Sequence, residues 1–164
     1  MKSRLRAPSP RGGEGRGEGL TVLCTSSSVQ AKRLGTLANS FAKSLNLSDC
    51  ELSLSLVRDP AIRKLKRQYF GIDAATDVLS FPAGDFAGGG LRPLGDIVIS
   101  LDTARRAAKE YGTSFEHELA LYLAHGMLHL LGFDHQSPKD ARRMERLERK
   151  LLAHPGMLAR SEEI

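Results

Sequence analysis

Apolar positions recur along this chain in two rhythms, and the switches between them mark out its elements. From Glu51 to Val57, Leu52, Leu54 and Leu56 alternate with Ser53 and Ser55, the period of a strand with one buried face. From Val29 to Leu45, Ala31, Leu34, Leu37, Ala38, Phe41 and Leu45 fall three or four apart, the period of an amphipathic helix, and Ser26 to Ser28 offer it a cap. Leu20 to Thr25 reads as a short strand before that helix, and Asn46 to Asp49 as the turn after it. Asp59-Pro60 is expected to cap and open a second helix, running to about Tyr69. Val78 to Phe81 is a short strand stopped by Pro82. Ala83 to Pro93 is a Gly-rich flexible loop, and Gly95 to Ser100 a further strand. Ser100 or Asp102 caps a third helix reaching about Tyr111. Thr113 and Glu116 are expected to form a capping box for a fourth, from Phe115 to Leu131. That helix is apolar nearly all round, which predicts burial. Ser137-Pro138 opens a last helix with the stripe Ala141, Met144, Leu147 and Leu151 inward and its Arg and Glu outward.

The resulting order, β-α-β-α-β-β-α-α-α, predicts an α+β fold: a small mixed sheet with the apolar helix covered by the others. The length of 164 residues fits one domain, placed here at residues 20–155, with a frayed end over 156–164. Residues 1–19 are Pro, Gly, Arg, Ser and Glu with almost no large apolar side chain, and are expected to be a disordered basic tail. That tail carries Lys2, Arg4, Arg6, Arg11 and Arg16 against Glu14 and Glu18, a net +3 of the chain's +5. The folded body is therefore only weakly basic, and the high pI argues little for a nucleic-acid surface on it. The tail lacks the apolar core of a secretory signal, and its glutamates argue against an organellar transit peptide. No stretch approaches the ~18 continuous apolar residues of a membrane span. Cys24 and Cys50 form no C-x-x-C pair and are expected to be buried free thiols in a reducing compartment, the cytoplasm.

Three of the five histidines fall between His125 and His135, in the run His-Gly-Met-Leu-His-Leu-Leu-Gly-Phe-Asp-His. On a helix, His125 and His129 share one face a turn apart. Gly132 lets the chain leave the helix in the left-handed conformation, so that His135 can return to the pair. Three neutral imidazoles in this arrangement suit a tetrahedral divalent cation, most often zinc, with one position open. The spacing resembles the metzincin protease pattern His-Glu-x-x-His-x-x-Gly-x-x-His. The protease's general base, however, is replaced by Gly126, so metal-ligand spacing is kept and peptidase chemistry is excluded. His117 is expected at the surface or behind the ligands.

The run also resembles the motif of the YbeY family, His-Gly-x-Leu-His-Leu-x-Gly-Phe/Tyr-Asp-His, and every fixed position is present. Thr76-Asp77-Val78-Leu79-Ser80-Phe81-Pro82 and Leu94-Gly95-Asp96-Ile97 resemble two further blocks of that family, in the same order and spacing. The resemblance covers about residues 20–152. It implies a four-stranded, mostly parallel mixed sheet packed with about five helices and a metal site at one end. It further implies a zinc-dependent, single-strand-specific endoribonuclease, active in 16S rRNA 3′-end maturation and ribosome quality control. One Zn2+ would be held by His125, His129 and His135. The partners implied are single-stranded rRNA and the small ribosomal subunit with its proteins, in a bacterial cytoplasm.

Beyond the ligands, Asp134 reads as an outer-shell or proton acceptor beside His135, or simply as a turn former. Ser80 and Asp77 border the cleft in the resemblance, although each can also be a local hydrogen-bonding residue. Arg63, Lys64, Lys66 and Arg67 cluster on the second helix, as a phosphate-contacting face or a solvated one. Chemistry at the metal can run by attack of activated water on phosphorus or by attack of the RNA 2′-hydroxyl. One position departs from the family. An Arg held to be important for activity, in a Tyr-Arg pair before the Thr-Asp block, is here Phe70 after Tyr69. Arg67, one turn earlier, is the candidate substitute, leaving from a different face. Phe70 favours the alternative of a metal-stabilised, ribosome-associated RNA- or protein-binding factor with little catalysis.

Overall fold

The computed structural model describes residues 19–153. The expected tail over residues 1–19, except for Gly19, and the frayed end over 156–164 lie outside the described residues. The elements are β1 (Leu20–Cys24), α1 (Val29–Ser44), β2 (Cys50–Val57), α2 (Asp59–Phe70), β3 (Val78–Pro82), β4 (Arg92–Ser100), α3 (Leu101–Tyr111), α4 (Phe115–Leu130) and α5 (Pro138–Leu152). Their order is the one the patterning predicts. The sheet order is β1-β2-β4-β3, with β1, β2 and β4 parallel and β3 antiparallel to β4. This is a mixed, mostly parallel four-stranded sheet in an α+β fold, and β3 is one of its two edges.

Strand alternation divides the core between the two sheet faces. Leu52, Leu54, Ile97 and Ile99 face α1 and α4 and pack with Phe41, Leu123, Met127 and Leu128 in the main cluster. Leu79 and Val98 face the other way, against Ile62 of α2. Helix α5 lies on α4 and adds Met144 and Leu151 to the main cluster. α4 is thus enclosed by sheet and helices, as its all-round apolar character predicts. No helix among the described residues is long and apolar enough to cross a membrane. Cys24 and Cys50 are free thiols; Cys50 is buried as expected, but Cys24, at the end of the edge strand β1, is only partly so.

Two helix starts differ from the sequence expectation. Helix α4 is capped by Ser114, whose hydroxyl accepts from the His117 amide at 3.0 Å, and no Thr113–Glu116 capping box forms. Thr113 instead donates to Glu118 Oε1 at 2.6 Å, satisfying a carboxylate only 4 % exposed. Helix α2 starts without a side-chain cap. The Asp59 carboxylate accepts from Ser100 Oγ at 2.6 Å, Thr103 Oγ1 at 2.9 Å and Arg106 at 2.7 Å, clamping α2 to the start of α3. A carboxylate reached by three donors from another helix is better satisfied there than by its own first turn.

A bulge brings the sheet against the end of α4. The β2–β4 register runs Glu51↔Pro93 and then Leu52↔Gly95, leaving Leu94 as the extra residue. Gly95 sits at φ +139, and a Cβ there would lie 2.2 Å from the Phe81 carbonyl oxygen and 2.9 Å from Leu130 Cδ2. Only glycine allows β3, β4 and the last turn of α4 to approach so closely.

Candidate metal centre

The three histidines meet because α4 ends where it does. Gly132 N donates to the His129 carbonyl at 3.0 Å and Phe133 N to the Leu128 carbonyl at 3.1 Å, with Gly132 at φ +95. That bond pair around a left-handed glycine is a Schellman closure. The turn is pinned on both sides. Phe133 packs on the main core, and the Arg143 guanidinium of α5 sits 5.0 Å from its ring centroid. The chain then doubles back and brings His135 to the pair on α4.

His125 Nε2 lies 2.9 Å from His129 Nε2 and 3.4 Å from His135 Nε2. One ligand atom from each ring lies within 4.8 Å of the other two. The set can hold a metal ion: each of the three imidazoles brings one ring nitrogen into a single small group. Burial, then the adjacent His125 and His135, holds the His129 imidazole below the ordinary histidine range. A neutral ring is the ligating form.

Glu148 completes the centre and was missed by reading the sequence, which placed the glutamates of α5 outward. Its Oε1 lies 2.5 Å from His125 Nδ1, and the two side chains are 15 % and 27 % exposed. The signal was available. Glu148 lies four residues after Met144 and three before Leu151, on the buried stripe of α5. A carboxylate accepting Nδ1–H fixes the tautomer and leaves the Nε2 lone pair for a ligand. Glu148→Gln is expected to lower metal affinity by about 10- to 100-fold. Titration against a competing chelator checks this, and an unchanged affinity would remove Glu148 from the centre.

Gly126, at the position of the protease base, is buried against the sheet. A Cβ there would meet Ile97 Cδ1 at 3.0 Å, Ile97 Cγ2 at 3.1 Å and Ser80 Oγ at 3.2 Å. A side chain at this position would have to push Ile97 and Ser80 back by a few tenths of an ångström. Ser80 donates to the Gly126 carbonyl at 3.4 Å, so β3 flanks the ligand helix. Asp134 adjoins His135, and its Oδ1 accepts from the Gln136 amide at 3.2 Å, forming a turn. Asp77 accepts from its neighbours Val78 N and Thr76 Oγ1, also locally. Arg67 is exposed on α2, across the sheet from α4, and the structure does not bring it into contact with the histidines. Arg63 of the same cluster is paired with Asp73 at 2.8 Å.

The chain is similar to known proteins. A family model described as endoribonuclease YbeY matches residues 24–156. An endoribonuclease YbeY of Myxococcus xanthus is 59% identical over 136 residues, covering 82% of this chain and 46% of that protein. One from an Anaeromyxobacter species is 51% identical over 128 residues, covering 78% of this chain and 66% of that protein. The chain thus spans about half to two thirds of the length of these curated relatives. The solution structure of TM1509 from Thermotoga maritima is similar with a TM-score of 0.54 and 25% identity, covering 81% of this chain and 89% of that one. With the match running through the sheet, the bulge at Gly95 and all three histidines, the chain belongs to the YbeY endoribonuclease family.

Proposed function

We propose that this protein is a zinc-dependent endoribonuclease that cuts single-stranded RNA. Its place is in 16S rRNA 3′-end maturation and ribosome quality control, on the small ribosomal subunit and in the bacterial cytoplasm. The observation that carries this reading is the convergence of three imidazole nitrogens in a chain of an endoribonuclease family, at a centre with no peptidase base.

The donor set fits zinc. Zn–N bonds of about 2.0–2.1 Å in a tetrahedral array separate ligand atoms by about 3.3–3.4 Å. Nε2 separations of 2.9 and 3.4 Å are close to that. Zinc held by neutral ligands keeps its full charge, and so supplies Lewis acidity toward a phosphodiester. The chain's own groups prepare the site. Glu148 holds the His125 tautomer, burial keeps His129 neutral, and the Gly132 turn presents His135. In this reading Asp134 takes the proton that the attacking water or RNA 2′-hydroxyl gives up, through the carboxylate oxygen not used by Gln136. Ser80 holds the cleft wall at Gly126, and Arg67 contacts substrate phosphate from the α2 face. A single strand suits the site, because its backbone bends to an open centre and its bases are free.

The test is cleavage of a single-stranded rRNA 3′-end fragment by purified protein, beside a chelated sample. Cleavage lost on chelation and restored by zinc is expected. Absence of cleavage by zinc-loaded protein would overturn the nuclease reading. It would favour the ribosome-associated binding factor, for which the apolar, exposed Phe70 in place of a cation is the specific observation.

A further inference from the structure

Outside the histidine centre, the surface feature with most chemistry is an aromatic group at the end of α2. Phe70 is 52 % exposed and Ile72 beside it 49 %. Large apolar side chains at such exposure gain nothing from the fold. Phe70 is nevertheless held in place. Its ring lies 6.0 Å from that of Phe81 at an interplanar angle of 32°, and Tyr69 packs edge-on against the same Phe81 at 5.0 Å. Gly71, at φ +69, ends the helix directly after it. The result is a fixed aromatic ring with an open face.

Its location connects it to the metal centre. Phe81 and Ser80 are consecutive on β3, the edge strand, and point to opposite faces of the sheet. Phe81 carries the aromatic group; Ser80 bonds to Gly126, next to His125. The open edge of one strand therefore has the aromatic ring on one side and the ligand helix on the other. The surroundings are cationic. Lys66 and Arg67 lie four and three residues before Phe70, so on the helix formed Arg67 shares its side of α2 instead of leaving from a different face; the nearby Asp73 carboxylate is bonded to Arg63. An open ring flanked by cations is complementary to a stacked base and its phosphates, rather than to an apolar protein face.

We infer that Phe70, backed by Tyr69 and Phe81, is the stacking platform for one unpaired base of single-stranded RNA whose backbone crosses the β3 edge toward the histidine centre. The inference rests on the nuclease reading and adds a specificity element to it. A base held in a duplex is already stacked on its neighbours and is not available to the ring, so the platform selects single strands. It also gives position 70 a role that needs no charge.

The test uses zinc-loaded full-length protein and two probes. The first is a single-stranded 2′-O-methyl, phosphorothioate-linked oligonucleotide, which resists cleavage and carries one 2-aminopurine base. The second is a cleavable single-stranded RNA of the same sequence. Phe70→Leu keeps the bulk and apolarity and removes the ring, and Phe70→Tyr keeps the ring. Phe70→Leu is expected to bind the first probe about 10-fold more weakly and to lose the stacking quench of 2-aminopurine, while Phe70→Tyr retains both. On the second probe, KM should rise with kcat little changed. Equal binding and equal quenching by Phe70→Leu and the parent would overturn the platform, and would make the patch a protein-docking surface. No binding by the parent would overturn it as well. The two readings fail separately. Ring-dependent binding without cleavage refutes the nuclease and keeps the platform; cleavage with an unchanged KM in Phe70→Leu refutes the platform and keeps the nuclease.

Discussion

Alanine at position 129 is expected to leave the protein without its metal ion. His129 is one of the two candidate ligands on α4, beside His125, whose ring lies nearest to both of the others. Its Nε2 lies 2.9 Å from that of His125, and its ring centroid 4.5 Å and 5.2 Å from those of His125 and His135. Removing it leaves two imidazoles, one of them on the loop, and among the described residues no fourth His, Cys, Asp or Glu belongs to the ligand group. The affinity loss should exceed the roughly 100-fold at the upper end for an outer-shell partner, because a direct bond disappears. Metal content by elemental analysis after dialysis is the measurement, with His135→Ala alongside. A zinc content equal to that of the parent would end the ligand assignment. The sign of the pH dependence follows from the same residue. Burial lowers the His129 pKa, so its neutral form persists to lower pH than in a free imidazole. Proton competition at His129 should therefore set in at lower pH than for a free imidazole, and metal affinity, measured by titration against a chelator, should fall as the pH is lowered.

Gly95→Ala should be the most damaging single-methyl substitution in the fold. Two costs add at this position. The φ of +139 lies in a region that L side chains rarely adopt. The new Cβ would also lie 2.2 Å from the Phe81 carbonyl oxygen and 3.0 Å from the Ala83 amide nitrogen, which are backbone atoms and cannot rotate away. Strain of about 1–3 kcal/mol and overpacking of about 1–3 kcal/mol together approach the total stability of a marginal domain. Gly112→Ala is the control. Gly112 also has a positive φ, +66, but a Cβ there meets nothing within 4 Å. It should cost only about 1 kcal/mol, the backbone term alone. Urea unfolding of the two variants separates the effects, and equal midpoints would show that the β3–β4–α4 approach is not tight. Leu130, 2.9 Å from the same Cβ position, follows His129 directly. Any relief of the clash that moves Leu130 should therefore weaken metal binding too.

The two substitutions differ in how visible their sites are before folding. The histidine run could be read from spacing alone, because i,i+4 geometry and a helix-ending glycine are local properties. The clamp of Asp59 onto Ser100, Thr103 and Arg106 could not. Seen along the chain, Asp59 before Pro60 is a helix-opening pair, and only the arrival of α3 beside α2 offers it better donors. Glu148 is intermediate. Its place on the buried stripe of α5 was there to be read, but the partner that makes it functional lies 23 residues away.

By itself the sequence determined the order of elements, the burial of α4 and the meeting of His125, His129 and His135. Each of these depends on periods and turns spanning a few residues. The tertiary structure alone decided three further things. It placed β3 antiparallel at the sheet edge, with Ser80 toward the ligand helix and Phe81 toward Phe70. It set Arg67 across the sheet from the histidines. It gave Gly95 its necessity, through the backbone atoms that crowd it, and set Gly126 tightly against Ile97 and Ser80. Those outcomes depend on which faces pack together across long stretches of chain, and no local pattern encodes the distance between atoms that only packing brings close.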